Sequence, residues 1–234
     1  MGKRFWEIDF LRGIAIIMMI IYHALFDLWF FGIYTVNVET GLWSLFAMVT
    51  ASMFIFLSGI SLTISCSRNH DTRKHLFRGA KIFLFGLVAT VATWLFLNEG
   101  FVIFGILHFI GLSIIIGYFL VRFRFINMIL GAVVILAGLF LQAVSFSFPW
   151  LLWLGFRPQG FVTVDYFPLL PWFGLFLIGI AIGNWFYTRG TRRFSLLDLS
   201  NSSLVKPLSF LGRHSLIIYL LHQIVIVAII TIAF

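Results

Sequence analysis

Seven long apolar runs decide what this chain can become. They lie at about 6–31, 42–66, 77–97, 101–121, 125–147, 167–187 and 208–233. Crossing about 30 Å of hydrocarbon takes roughly 20 apolar residues in a helix. Inside lipid the backbone must satisfy its own hydrogen bonds, which leaves helices or a closed barrel. Runs this continuous, without period-two alternation, predict helices. Of the 234 residues 62% are hydrophobic and 10% charged, against about 45–50% and 25% in soluble domains. The expected fold is therefore an all-α integral membrane protein: a single transmembrane domain over 1–234, a bundle of about seven spans, multi-pass in the cell membrane. The first run is too long for the core of a secretory signal and no small-residue cleavage site follows it, so it reads as a retained helix. The lone Cys66 leaves no disulfide framework and no thiolate metal set.

Charge placement predicts orientation, because Lys and Arg accumulate on the cytoplasmic side. With the N-terminus inside, 14 cations fall on the inner side: Lys3, Arg4, Arg68, Arg73, Lys74, Arg78, Lys81, Arg122, Arg124, Arg189, Arg192, Arg193, Lys206 and Arg213. Arg157 alone falls outside, and Arg12 lies within the membrane. The expected topology is N-terminus cytoplasmic, C-terminus extracytoplasmic. The net charge of +8 then belongs to the inner face, where it attracts anionic lipid headgroups. A nucleic-acid partner would need an exposed basic domain, and the sequence offers none.

The first span, IDFLRGIAIIMMIIYHALFD, carries more ionisable groups than lipid tolerates. At about 100° per residue, Asp9, Arg12, His23 and Asp27 share an arc of about 60°. Arg12 and His23 are about 16 Å apart along the axis. A charge at the helix centre costs on the order of 2.5–3.5 kcal/mol, so this stripe is expected to face the bundle interior or a water-filled cavity. An imidazole one turn from a carboxylate is the arrangement of a general base, with Asp27 orienting His23. The alternative for the two ends is an Asp9–Arg12 ion pair near the headgroups and an interfacial Asp27.

Other polar groups lie at comparable depth. His108, in VIFGILHFIGLS, is expected about as deep as His23 and able to share its cavity if their helices are neighbours. Asp165, in DYFPLLPWFGLFLIG, stands just outside the sixth span; a helix cap is its alternative reading. The last span, LGRHSLIIYLLHQ, aligns Ser215, Tyr219 and His222 on one face. For His222 a hydrogen-bonded packing role is the alternative. Gly59, Gly179 and Gly183 read as close-packing positions between helices. No phosphate loop, dinucleotide fingerprint or HExxH motif is present.

Taken in order, IDFLRGIAIIMMIIYH, FIFLSGISL, GILHFIGLS, PWFGLFLIG and LGRHSLIIYLLHQ resemble the heparan-alpha-glucosaminide N-acetyltransferase-like family, within a wider superfamily of transmembrane acyltransferases. The chain looks like a small prokaryotic member. The resemblance implies transfer of an acetyl group from cytoplasmic acetyl-CoA to a hydroxyl or amine of an extracytoplasmic glycan or glycolipid. It implies His23 as general base with Asp27 beside it, and His108 and Asp165 contacting acceptor or acetyl group. Asp9 and Arg12 would line the donor path, with Arg78, Lys81, Arg124, Arg213 and His222 on the acetyl-CoA side and no metal. It leaves a homodimer open. Animal members have a histidine after the first helix and asparagine at the place of His23. FGIYTVNVETG offers only Glu39 there, so direct attack on the thioester is expected here in place of an acetyl-histidine intermediate.

Two other classes fit the residues taken alone. Intramembrane His, Asp and Arg also mark transporters and proton-coupled channels, although no internal repeat supports alternating access. A metal-binding or purely structural membrane protein has the right ligand types but no tight spacing.

Overall fold

The structure is a computed structural model describing residues 4–97, 99–188 and 191–234. Lys3 and Arg189, two of the cations assigned to the inner side, lie outside the described residues. Eight α-helices follow in chain order among those described: α1 Trp6–Phe30, α2 Gly41–Arg68, α3 Thr72–Phe96, α4 Ile106–Leu120, α5 Ile126–Gln142, α6 Leu169–Phe186, α7 Val205–Arg213 and α8 Ser215–Ala233. Five of them (α1, α2, α3, α6 and α8) are long and apolar enough to cross a membrane, and α4 and α5 are shorter apolar helices. The chain is a multi-pass helical membrane protein. Its outward surface agrees: α3 exposes Leu84, Leu87, Val88, Val91 and Leu95, and α5 exposes Ile129, Val133, Leu136 and Phe140. Water would punish such stripes, whereas lipid solvates them.

The chain divides into two compact units, one of Met1–Phe54 with Leu196–Phe234, the other of Ile55–Ser195. In the first, α7 and α8 both pack on α1. The α1–α7 contact is made backbone to backbone. A methyl group on Gly13 would sit on the Leu208 carbonyl, and one on Gly212 would sit on the carbonyl oxygen of Asp9. The Ser209 hydroxyl adds a bond to the carbonyl of Trp6 at 3.4 Å.

The apolar run expected at 208–233 is two helices. Val205, Ser209 and Gly212 are buried on one face of α7, while Lys206, Phe210 and Arg213 are exposed on the other. With cations on its exposed side, α7 packs its other face on α1. The chain then turns at His214, whose Nδ1 lies 2.9 Å from the Phe210 carbonyl oxygen.

In the second unit α3 meets α4 at Gly79 and Gly111, and α5 meets α6 at Gly131 and Gly174, each glycine lying against backbone of the opposite helix. Gly59 and Gly179 do the same between the second half of α2 and α6, beside a bond from the Thr63 hydroxyl to the Ile180 carbonyl at 3.2 Å. The close-packing reading of Gly59, Gly179 and Gly183 holds.

Two boundaries depart from expectation. α3 starts at Thr72, five residues before its apolar run, because the Asp71 carboxylate accepts from the amides of Arg73 (3.0 Å) and Lys74 (3.4 Å) and caps the turn. α4 starts at Ile106, not near 101. Residues 101–105 are non-helical instead, and His108 is therefore on the first turn of its helix. Unpaired backbone at membrane depth is tolerated only when protein satisfies it, and here it does. The Val164 amide donates to the Gly100 carbonyl, the Phe167 amide to the Phe104 carbonyl (both 2.8 Å), and the Val102 amide to the Thr93 hydroxyl (3.0 Å).

Gly212→Val forces a branched side chain onto the Asp9 carbonyl. The expected outcome is destabilisation by at least about 1–3 kcal/mol, read as a lower thermal midpoint of detergent-solubilised protein. A midpoint equal to wild type would refute the close α1–α7 contact.

Candidate functional site

The N-terminal end of α1 brings one carboxylate, that of Asp9, into the field of several cations. Arg12 lies 3.9 Å from Asp9, and the charges of Arg4 and Arg213 also act on that carboxyl. Arg12 is partly exposed at 22%, so the pair by itself contributes little stability. Its consequence is placement: guanidiniums from the chain's start, α1 and α7 all act on a single acid, with Arg12 beside it. Arg213 keeps its Nε on the Ser209 carbonyl at 3.2 Å. Beside it Lys206, Pro207, Phe210, Leu211 and Arg213 line an open hollow along α7. Arg4 had no site role in the sequence reading. Its one signal was its place just before the first span, which reads equally as a topology charge.

Farther along α1, the rings of His23 and His222 stand edge to face with centroids 4.7 Å apart. The Tyr22 ring lies 5.8 Å from His23, and Tyr219 5.3 Å from His222. Asp27 is buried, and here the expected pairing is corrected. Its carboxylate accepts from Gln223 Nε2 through both oxygens, at 2.8 and 2.9 Å, and no hydrogen bond joins it to His23 among the described residues. The reason is lateral: α8 brings an amide donor directly opposite Asp27, and a primary amide can bridge both carboxylate oxygens. Gln223 is a residue the sequence reading quoted in LLHQ and gave no role. Its partner lies 196 positions away, which spacing within one helix cannot disclose.

His108 and Asp165 belong to the second unit, and both hold the start of α4. The Ile106 amide donates to Asp165 Oδ2 at 3.1 Å, and the Gly105 amide donates to His108 Nδ1 at 3.2 Å. That bond leaves the ring proton on Nε2, which faces the Thr90 hydroxyl at 3.4 Å. Phe104 stacks on the ring at 5.6 Å and Phe83 meets it edge-on at 5.2 Å. A side chain on Gly86 would strike the imidazole, and one on Gly105 would strike the Asp165 carboxylate. Asp165 is thus a helix cap, but for α4 and not for α6, the helix it precedes. Burial pushes its carboxyl up to about 7, opposed only in part by the Ile106 amide. Arg78 and Lys81 on α3 and Arg124 ahead of α5 are exposed, with Lys81 reaching over the Phe85 ring at 5.8 Å. Among the described residues no three His, Cys, Asp or Glu side chains converge as metal ligands.

Along α1 lie a carboxylate with guanidiniums near it, then an imidazole and a second carboxylate. The family model described as heparan-alpha-glucosaminide N-acetyltransferase, catalytic, matches residues 4–224. The chain belongs to this family. The matched stretch begins at Arg4 and runs past Gln223, so every side chain described above lies within the acetyltransferase domain. Comparison with curated proteins and with solved structures returns no match.

Because Asp165 has its carboxyl raised in the folded state, it favours folding most when protonated. That contribution is complete below the ordinary value of 3.8 and is lost as pH rises through about 7. Asp165→Asn can still accept from Ile106 but cannot ionise. Thermal midpoints recorded against pH should fall across that interval for wild type relative to the variant; parallel curves would show that Asp165 is not buried as described.

Proposed function

We propose that this acetyltransferase-family protein moves an acetyl group from cytoplasmic acetyl-CoA, through its helices, to a hydroxyl or amine of a glycan or glycolipid on the extracytoplasmic side. The N-terminus is cytoplasmic in this reading and the C-terminus extracytoplasmic, as the distribution of Lys and Arg predicts. The observation that carries it is the division of labour along α1, where guanidiniums cluster at one end and His23 stands about 16 Å farther on.

Arg4, Arg12 and Arg213 suit the phosphates of acetyl-CoA, since guanidinium–phosphate hydrogen bonds are charge-assisted and often bidentate. Asp9 keeps Arg12 in place when no phosphate is bound. Arg78, Lys81 and Arg124 are further candidates for the nucleotide end. The acyl arm then follows the stripe toward His23. There the acceptor's oxygen or nitrogen attacks the thioester carbonyl while His23 removes its proton. The carbon–sulfur bond breaks as the new acyl bond forms, and the proton passes to the departing thiolate. Asp27, held by Gln223, puts a carboxylate near the outer end of α1 where a sugar hydroxyl can donate to it.

Isotopically labelled acetyl-CoA supplied to the cytoplasmic face of sealed vesicles, followed by mass spectrometry of outer-face glycans and lipids, tests the reading. Label is expected on an outer-face hydroxyl or amine. Absence of transfer together with absence of acetyl-CoA-dependent thermal stabilisation would remove it. His23→Ala is expected to lower kcat by about 10²–10⁴-fold, the usual share of a general base. Arg12→Gln should instead raise KM for acetyl-CoA with kcat largely kept, the signature of lost ground-state binding.

A further inference from the structure

We propose that His222, on α8, is the proton partner of His23, taking the place that spacing along α1 suggested for Asp27. The inference rests on the transfer reaction above and names a positioning residue within it. Three observations carry it. The two imidazoles are 4.7 Å apart between centroids, close enough for a ring nitrogen of one to reach a ring nitrogen of the other after rotation about χ2. His222 Nδ1 faces the Tyr219 carbonyl oxygen, an acceptor only, so Nδ1 carries the ring proton and Nε2 keeps a lone pair. That Nε2 is buried without a hydrogen-bond partner, and His222 as a whole is only 9% exposed. Leaving a buried acceptor unpaired forfeits its hydration with nothing in return. The chain retains one at the side of the residue best placed for acid–base chemistry.

The arrangement works as a relay. An N–H of His23 turned toward His222 Nε2 leaves the other nitrogen of His23 unprotonated and aimed at the acceptor. When the acceptor's proton arrives there, the imidazolium shares its positive charge with His222 through that hydrogen bond. The proton leaves again to the thiolate sulfur as CoA departs, so the pair ends as it began. A neutral partner suits this depth better than a carboxylate would. Asp27 is already committed to Gln223, and the pair needs no buried ion in its resting state. The titratable groups around it within its unit are Tyr22 and Asp27 on α1 and Tyr219 on α8; the part of α2 in that unit, residues 41–54, contributes none. Such coupled sites lose protons in steps that belong to the pair.

His222→Phe keeps a ring of similar shape without nitrogen. Expected is a fall in kcat of about 10²-fold, KM for acetyl-CoA within a factor of about two, and a kcat–pH profile with one proton-linked step where wild type shows two. Unchanged kcat and profile in the folded variant would overturn the proposal. Nitrogen NMR of histidine-labelled protein in detergent provides a readout that needs neither activity nor a tolerated His222 variant. His222 should show the Nδ1–H form, and His23 and His222 should titrate together in wild type. Independent titration, or an Nε2–H form of His222, would also refute it. Coupled titration in a protein that transfers no acetyl group would leave the histidine pair standing and remove the transferase reading instead.

Discussion

Gly212 lies against the carbonyl oxygen of Asp9, and Gly13 lies against that of Leu208. Between helices in lipid there is no hydrophobic gain from association, since the tails are as apolar as the side chains. Close van der Waals packing and interhelical hydrogen bonds must supply the attraction. Removing both side chains lets α7 and α1 meet at backbone distance, and the site depends on that contact. It fixes Arg213 over the acidic end of α1 and anchors the start of α8, the helix that carries His222 and Gln223 to the other end of the stripe. Larger residues would separate the helices and leave the polar groups of α1 without partners.

Those partners explain how a helix this apolar keeps the four ionisable groups of its stripe, Asp9, Arg12, His23 and Asp27. Asp9 has guanidiniums round it, Asp27 has the Gln223 amide on both oxygens, and His23 has a second imidazole. Each solution differs chemically. The N-terminal end uses opposite charge, with the partly exposed Arg12 against Asp9. The C-terminal half uses neutral donors and rings, which cost less to desolvate.

The second unit shows the same economy around α4. Its first turn is held by a carboxylate and an imidazole in place of a local capping residue, because Gly105 has no side chain to offer and a larger residue would collide with Asp165. Hydropathy read 101–105 as helix since the five residues are nearly all apolar. The structure keeps them non-helical because residues 163–167 provide the backbone partners that a helix would otherwise provide internally.

The sequence by itself determined the class of protein, the positions of α1 to α6 to within a few residues over most of their length, the polar stripe of α1 and the family. Run length, hydropathy and the angular period of a helix are local properties, and they survive in the order of residues. Only the tertiary structure decided that the last run breaks into α7 and α8, that Asp27 belongs to Gln223, that His23 meets His222 and that Asp165 caps a helix 59 positions earlier. Each of these is a contact between side chains or backbones far apart in the chain. A carboxylate takes whichever donor the folded helices set opposite it, not the nearest candidate on its own helix.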